Sequence, residues 1–302
     1  MLKYIKKFRQ ICQNINNYNA SLHQCIFEIH KVAINQFLIS SNESGISHNS
    51  ICPYPVIISL TTYGKRIHDV YLTISSIMMQ SQKPNRIILW LDKNEFNENN
   101  IPDTLKILAQ KGLEIRYYHN IKSYKKIIPT LLLAPNSVII TIDDDVIYPI
   151  DFIERLTQNF LNDSSYVYYY RGHRILQNTN GDIMPYNQWE YCSSNTNGGY
   201  DFIPTGVGGV LYPPHCFHKD VTNENLFMEL APTADDLWLK IMCTMNGYPS
   251  KKVYTRNEYS EEYITIPNSQ KIALNHENIL TNNDIQLNRI INHYNCKNLF
   301  FK

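Results

Sequence analysis

The sequence predicts an α/β fold with a mostly parallel sheet flanked by helices, preceded by a helical N-terminal extension. Two observations carry this. Short apolar, β-branched runs alternate with segments of helical periodicity between residues 56 and 141, the rhythm of βαβ units. The runs are almost continuously apolar, as strands covered on both faces are. A third observation points to function. Val138-Ile-Ile-Thr-Ile142 runs straight into Asp143, Asp144 and Asp145, and leaves through Val146, Ile147 and Tyr148 to Pro149. Like charges packed at the end of a buried strand repel one another, and a nearby cation relieves this. In open α/β sheets, ligands bind at the carboxyl ends of strands. A hard-metal site facing a phosphate-bearing ligand is therefore expected here. The competing reading is a solvated turn, where Asp is common.

The elements follow in order. Leu2, Ile5, Phe8 and Cys12 fall near helical spacing, with Lys3, Lys6, Lys7 and Arg9 between them. Such a basic helix can lie on an anionic membrane. Its many Asn and few strong anchors favour instead a helix packed on the main domain or on a partner subunit. Ser40 to Ser50 reads as a polar linker, so residues 1–50 form an extension and 51–302 the main domain. Val56 to Leu60 is the first strand, and Thr61-Thr-Tyr-Gly-Lys-Arg66 the loop after it. Val70, Ile74, Ile77 and Met78 give a helix face that stops before Pro84. Arg86 to Leu91 is a strand ending at Asp92. Thr104 to Lys111 is a helix with Gly112 at its C-cap. Leu113 to Tyr118 is a strand, and Ser123 to Leu133 is helical with an interruption at Pro129. Past the aspartates, Asp151 to Leu161 is a helix with Asp151 as N-cap, and Tyr166 to Tyr170 is a strand. An aromatic, glycine-rich region then runs through Trp189 and Gly206-Val-Gly-Gly-Val210. Thr233 to Met245 is a helix closed by Gly247.

Composition narrows the function classes. With 302 residues, 43% hydrophobic and 18% charged, the chain can bury a large core. A formal charge of +1 gives no electrostatic case for a nucleic-acid partner. The seven cysteines include no C-x-x-C pair, which disfavours zinc and suits free thiols in a reducing cytoplasm. No run is long and apolar enough to span a bilayer, and the N-terminus lacks a signal-peptide core, so a soluble or peripheral protein is expected. The first strand is followed by neither a P-loop nor a G-x-G-x-x-G, against a P-loop kinase or a dinucleotide fold.

Taken together, Thr61 to Arg66 after the first strand, Lys125-Lys126, Asp143-Asp144-Asp145, Gly208-Gly-Val-Leu-Tyr-Pro213 and Ala234-Asp-Asp-Leu-Trp238 give an order and spacing. That order resembles bacterial glycosyltransferases of the GT-A fold, the family-2-like group, over roughly residues 54 to 295. The resemblance implies a GT-A-like mixed, mostly parallel sheet. It implies a metal-dependent enzyme that moves a sugar from a nucleotide-diphosphate donor to a hydroxyl of a glycan or lipid-linked glycan acceptor, with inversion. Cell-surface polysaccharide synthesis, in the cytoplasm or peripherally at the inner face of the membrane, is the implied setting. Mn²⁺ or Mg²⁺ maps onto Asp145, with Asp143 facing the ribose or the metal's water shell and His276 as a further ligand. Asp144, between them, points the other way along an extended chain. The second acid of Asp235-Asp236 maps onto the base that deprotonates the acceptor; the competing reading is a pair that complements the helix dipole behind an N-cap at Thr233.

Donor binding maps onto Thr61, Tyr63, Lys65, Arg66, Asp92, Lys125, Lys126 and Asp144, with one lysine or arginine of each basic pair merely solvated. Arg171, His173 and Arg174 are further candidates. Gly208 and Gly209 would let backbone approach the donor sugar, or simply make a tight turn. Trp238 would offer a sugar-stacking face; Trp189, Tyr200 and Tyr212 would line the pocket or fill the core. Asn282-Asn-Asp284 would close the site. A nucleotidyltransferase is the alternative enzyme, although it usually shows a glycine-rich basic loop after the first strand. A non-catalytic nucleotide- or carbohydrate-binding relic would have lost the acids that are present here.

Overall fold

A computed structural model describes residues 2–256, 263–267 and 282–302, with side chains from Asn14 onward, Asn16 apart. Helix α1 (Leu2–Ser40) leads into strand β1 (Val56–Thr61), α2 (Val70–Met78), β2 (Arg86–Asp92), α3 (Asp103–Gln110) and β3 (Leu113–Tyr118). There follow α4 (Ile128–Leu133), β4 (Val138–Thr141), the short β5 (Val146–Ile147), α5 (Phe152–Asn162), β6 (Val167–Tyr169), β7 (Gly172–Arg174), β8 (Phe202–Pro204) and β9 (Val210–Tyr212). The remainder comprises α6 (Glu224–Leu230), α7 (Asp235–Met245), β10 (Ser250–Lys252), β11 (Ile264–Thr265) and α8 (Asn283–Tyr294).

Seven strands form the main sheet in the order β10-β6-β9-β4-β1-β2-β3. Only β9 runs antiparallel to its neighbours, which makes the sheet mixed and mostly parallel, as expected. Alternation along each strand sends side chains to two cores. Val56, Ile58 and Leu60 of β1, with Leu211 of β9, pack against α2, α3 and α5. Val210 and Tyr212 of β9, with Val167 and Tyr169 of β6, pack against α6, α7 and α8. The result is a sheet between two helical layers.

The chain builds outward from β1 through β2 to β3, then returns to place β4 on the other side of β1. The β1–β4 pair is parallel, with Val56 opposite Val138 and Ser59 opposite Thr141. The topological switch point therefore lies between the carboxyl ends of β1 and β4, the place where such sheets bind ligands. Both the Thr61–Arg66 loop and the aspartates emerge there.

Several local expectations are corrected. Pro129 does not interrupt a helix. It sits in the first turn of α4, where its missing N–H costs nothing, and Lys122–Lys126 forms a separate 3-10 turn. Asp151 precedes α5 without a capping hydrogen bond, because its carboxylate is taken by Arg155 and Arg256. The residue capping α7 is Ala234, not Thr233, whose backbone N–H donates instead to Gln286 of α8. The 40–50 stretch is pinned to the domain by hydrogen bonds from Gly45 N–H to Lys111 O and from Ser47 N–H to Pro84 O. The C-terminal half of α1 packs on the domain through Phe27, Ile34 and Leu38.

Candidate active site

At the switch point lies a cavity of about 810 Å³, within the range of small-ligand sites. Its floor is set by the ends of β1, β2 and β4. Beneath it, Ser59 and Thr130 share a hydrogen bond of 2.6 Å and the Trp90 indole N–H donates to Thr130 at 2.7 Å, which fixes these strand ends against α4.

The three aspartates divide between two cations, Asp144 and Asp145 on Arg66 and Asp143 on Lys126. Asp144 accepts from Thr62 Oγ1 at 2.5 Å and from Arg66 Nη1 at 2.6 Å. It is thus held by the loop after β1, and it lines the same cavity as Asp143 and Asp145. Arg66 Nη2 lies 3.3 Å from Asp145. Asp143 faces Lys126 Nζ at 3.2 Å, while its backbone N–H donates to the Tyr148 hydroxyl. That hydroxyl in turn donates to Val207 O, tying the aspartate loop to the glycine-rich turn. Burial, then the Asp143 and Asp144 charges, push the Asp145 carboxyl up to about 7, against the pull of Arg66.

Lys126 joins this group to a second one. Its ammonium also lies 3.1 Å from Asp235 Oδ2, at the start of α7. Burial opposes the Lys126 charge, but Asp143, Asp235 and Asp236 outweigh it and hold the ammonium pKa well above its usual range. Beside it, Asp236 accepts from the Gly206 backbone N–H at 3.2 Å. Burial and then Asp235 push the Asp236 carboxyl up to about 7, with Lys126 opposing. Gly206 permits this approach, because a Cβ there would come within 2.4 Å of Lys126 Nζ. The lysine turn is itself anchored by Tyr124, whose hydroxyl donates to Ala231 O at 2.6 Å and whose ring stacks on Phe227.

Of the expected residues, Thr61, Tyr63, Arg66, Asp92, Lys125, Lys126, Asp143, Asp144, Asp145, Asp235 and Asp236 all line the cavity, with Arg171 and His173. Both Lys125 and Lys126 are buried, so neither is merely solvated. Lys65 is exposed and lies off the cavity. Arg174 pairs with Asp201 instead. Gly208 and Gly209 do not line the cavity either. A Cβ on Gly208 would strike the Arg171 backbone at 2.7 Å, and one on Gly209, at φ +82°, would strike the Phe152 ring at 2.4 Å. These two glycines serve packing and a turn. Trp238 is fully buried between Phe227 and Tyr294, donates its indole N–H to Val221 O, and offers no sugar-stacking face. Trp189 and Tyr212 are core, and the Tyr200 hydroxyl donates to Gly247 O. The aromatic walls are Tyr63, Tyr186, Tyr191 and Tyr263. Asn283 lines the cavity, and Asp284 accepts from the Tyr186 backbone N–H. His276 lies outside the described residues.

Thr62, Glu95, Asn120, Lys122 and Tyr186 were not anticipated as site residues. Thr62 stood within the loop already singled out; the others lie in segments whose pattern carries no chemistry of its own. Burial and Arg171 pull the His173 imidazole down to about 3, so it is neutral, and its Nδ1 accepts from the Cys192 backbone N–H. The proton of the ring therefore resides on Nε2.

Among the described lining residues seven side chains are acidic and five basic. Among the described residues no three His, Cys, Asp or Glu side chains form a ready-made metal cage. Two carboxylates with phosphate oxygens and water nevertheless suffice for Mg²⁺-like ions. The negative excess, and an Asp145 carboxyl raised to about 7 by burial and then by its acidic neighbours, fit a divalent cation.

No known protein family and no curated protein matches the chain. Solved structures show a distant likeness. Mannosyltransferase PcManGT from Pyrobaculum calidifontis, in complex with GDP-Man and Mn²⁺, has a TM-score of 0.43 at 10% identity, over 79% of this chain and 66% of that one. CMP:2-keto-3-deoxy-manno-octonic acid synthetase complexed with CTP has a TM-score of 0.37 at 10% identity, over 67% and 89%. HddC from Yersinia pseudotuberculosis has a TM-score of 0.34 at 14% identity, over 54% and 78%.

Proposed function

We propose that this protein is a metal-dependent glycosyltransferase that moves a sugar, with inversion, from a nucleotide-diphosphate donor to a hydroxyl of a glycan acceptor. One observation carries the reading. Two groups of buried and half-buried carboxylates, Asp143–Asp145 and Asp235–Asp236, face one cavity and are joined through Lys126. The first group would hold Mn²⁺ or Mg²⁺ through Asp143 and Asp145, and the ion would offset charge on the departing diphosphate. Asp236 takes the acceptor proton. A carboxylate that titrates near 7 is a competent base at neutral pH, and Asp236 reaches the same cavity beside Gly206 and Lys126. Asp235 and Lys126 set its charge. Arg66, Lys125 and Arg171 supply cationic walls for the diphosphate, and Tyr186 and Tyr191 supply faces for a sugar.

The loop after β1 has a single glycine, Gly64, and not the glycine-rich basic loop of a nucleotidyltransferase. A glycan acceptor at the cytoplasmic face of a membrane belongs to the same proposal; no described helix is long and apolar enough to cross one. The test is release of nucleoside diphosphate from a panel of nucleotide sugars with Mn²⁺, with and without hydroxyl acceptors. Turnover that survives in Asp145→Ala or in Asp236→Asn removes the corresponding role.

A further inference from the structure

Helix α1 carries a second apolar face that no described residue of the domain covers. Phe27, Ile34 and Leu38 are buried against the domain, where Phe27 and Ile34 meet Leu72, Ile147 and Ile266. On the opposite side, apolar residues recur in steps of three and four. Ile15, Leu22 and Ile29 occupy one heptad position, 53%, 48% and 64% exposed. Tyr18, Val32 and Ile39 occupy the other, 71%, 68% and 83% exposed, together with the exposed Cys25. A single amphipathic surface helix has one such stripe; here the buried residues fall at the positions facing away from the exposed seam.

We propose that this seam is the interface of a parallel two-stranded coiled coil with a second copy of the same chain. The repeat of 3.5 residues is what two supercoiled helices require, and it is sustained over more than three heptads. Seven side chains per copy, at roughly 100 Å² each, amount to on the order of 1,400 Å² for the pair, within the range of stable interfaces. Along the seam itself, charge favours an identical partner over a lipid surface; the basic residues Lys3, Lys6, Lys7 and Arg9 of the same helix all precede Ile15. Between Asn14 and Ser40 the only acid is Glu28 and the only Lys or Arg is Lys31, so this stretch has no basic excess to hold anionic lipid. The positions flanking the seam include Asn14, Asn19, Ser21, Ile26, Glu28, Ala33 and Asn35; in a parallel pair Glu28 faces Ala33 of the twin helix, so no like charges meet. Parallel orientation follows from Gln36, which takes the place of an apolar residue in the repeat. In register it meets its own counterpart, whereas an antiparallel pair would bury it against an apolar side chain.

The proposal is independent of the transferase reading and is tested without an activity assay. Sedimentation of the full chain at micromolar concentration should give twice the 35.3 kDa chain mass. Leu22→Glu with Ile29→Glu should raise the dimer dissociation constant by roughly a hundredfold, because two carboxylates per chain would be buried unpaired. Ile15→Glu, at the far end of the seam, should weaken it with no effect on the melting temperature of the domain. A short bismaleimide should join two chains through Cys25 and fail in Cys25→Ser. A single-chain mass at tens of micromolar, a two-chain mass indifferent to the Glu substitutions, or a dimer that never cross-links at Cys25 would each overturn it. So would a monomer that floats with anionic vesicles only while Leu22 and Ile29 are intact, an outcome that assigns the seam to lipid.

Discussion

Asp236 has to be ionised to accept a proton, and burial beside Asp235 holds its carboxyl at about 7. The kcat/KM profile should therefore rise with pH through an acidic limb near 7. Asp236→Asn should lower transfer by roughly 10² to 10⁴-fold while leaving metal-dependent nucleotide binding intact; a pH profile without that limb in the wild type would remove the base assignment. Lys126 tests the same electrostatics from the other side. Lys126→Met takes away the cation that favours the Asp236 carboxylate, so the limb should move to higher pH, and the stranded acids should cost about 3–5 kcal/mol of stability. Stability has its own pH dependence with a definite sign. Asp236 has a folded pKa raised from the ordinary 3.8, so its contribution is full below about 4 and is lost as pH rises through about 7. Denaturant melts of Asp236→Asn across pH 4 to 8 should be flatter than those of the wild type. Of the site residues, the acids were legible because no core role accounts for three aspartates after a buried strand. Lys126 was legible as a site residue but not as a bridge, since its two partners lie 17 and 109 positions away along the chain.

The strands and helices of the first half were readable because each follows one period. Val56–Thr61 and Arg86–Asp92 are buried along nearly their whole length and read as continuous apolar runs. The second half was harder for a physical reason. Helix α7 is buried on nearly every side, from Asp235 to Thr244, so its periodicity does not say which face meets a ligand. Trp238 was assigned to a sugar for want of that information, and it is core. Trp238→Ala should cost about 3–5 kcal/mol, read as a fall in denaturation midpoint. Trp238→Phe, which keeps most of the packing, should leave the donor KM at its wild-type value; a raised KM would put the ring back in the binding site. The glycine-rich turn hid its meaning similarly. Glycine is needed at Gly209 because its φ of +82° and the Phe152 ring exclude a side chain, a constraint imposed by α5 from far along the sequence.

Across the whole molecule, the order β4-β1-β2-β3 is what converts separate motifs into one site. Two parallel strands point the Thr62–Arg66 clamp and the aspartates at the same crevice, and the turn leading into β9 brings Gly206 against Asp143 and Lys126 and Val207 against Tyr148. Topology of this kind is only partly written in local pattern: alternation gives parallel strands, but which strand lies beside β1 depends on how both faces of the sheet are covered. The assembled cavity has more acids than bases, seven to five among its described lining residues, and a nucleoside diphosphate alone would add to that excess. Metal and nucleotide should therefore bind cooperatively, each relieving charge that opposes the other. Thermal melts should show a small shift with Mn²⁺ alone, a small one with the diphosphate alone, and a joint shift larger than their sum. At a hundredfold excess over Kd the linkage amounts to about 2.7 kcal/mol, or about 5–11 °C for a large domain. Asp145→Asn should abolish the excess of the joint shift while preserving the nucleotide-only shift. Additive shifts in the wild type would mean that cation and nucleotide do not share this cavity.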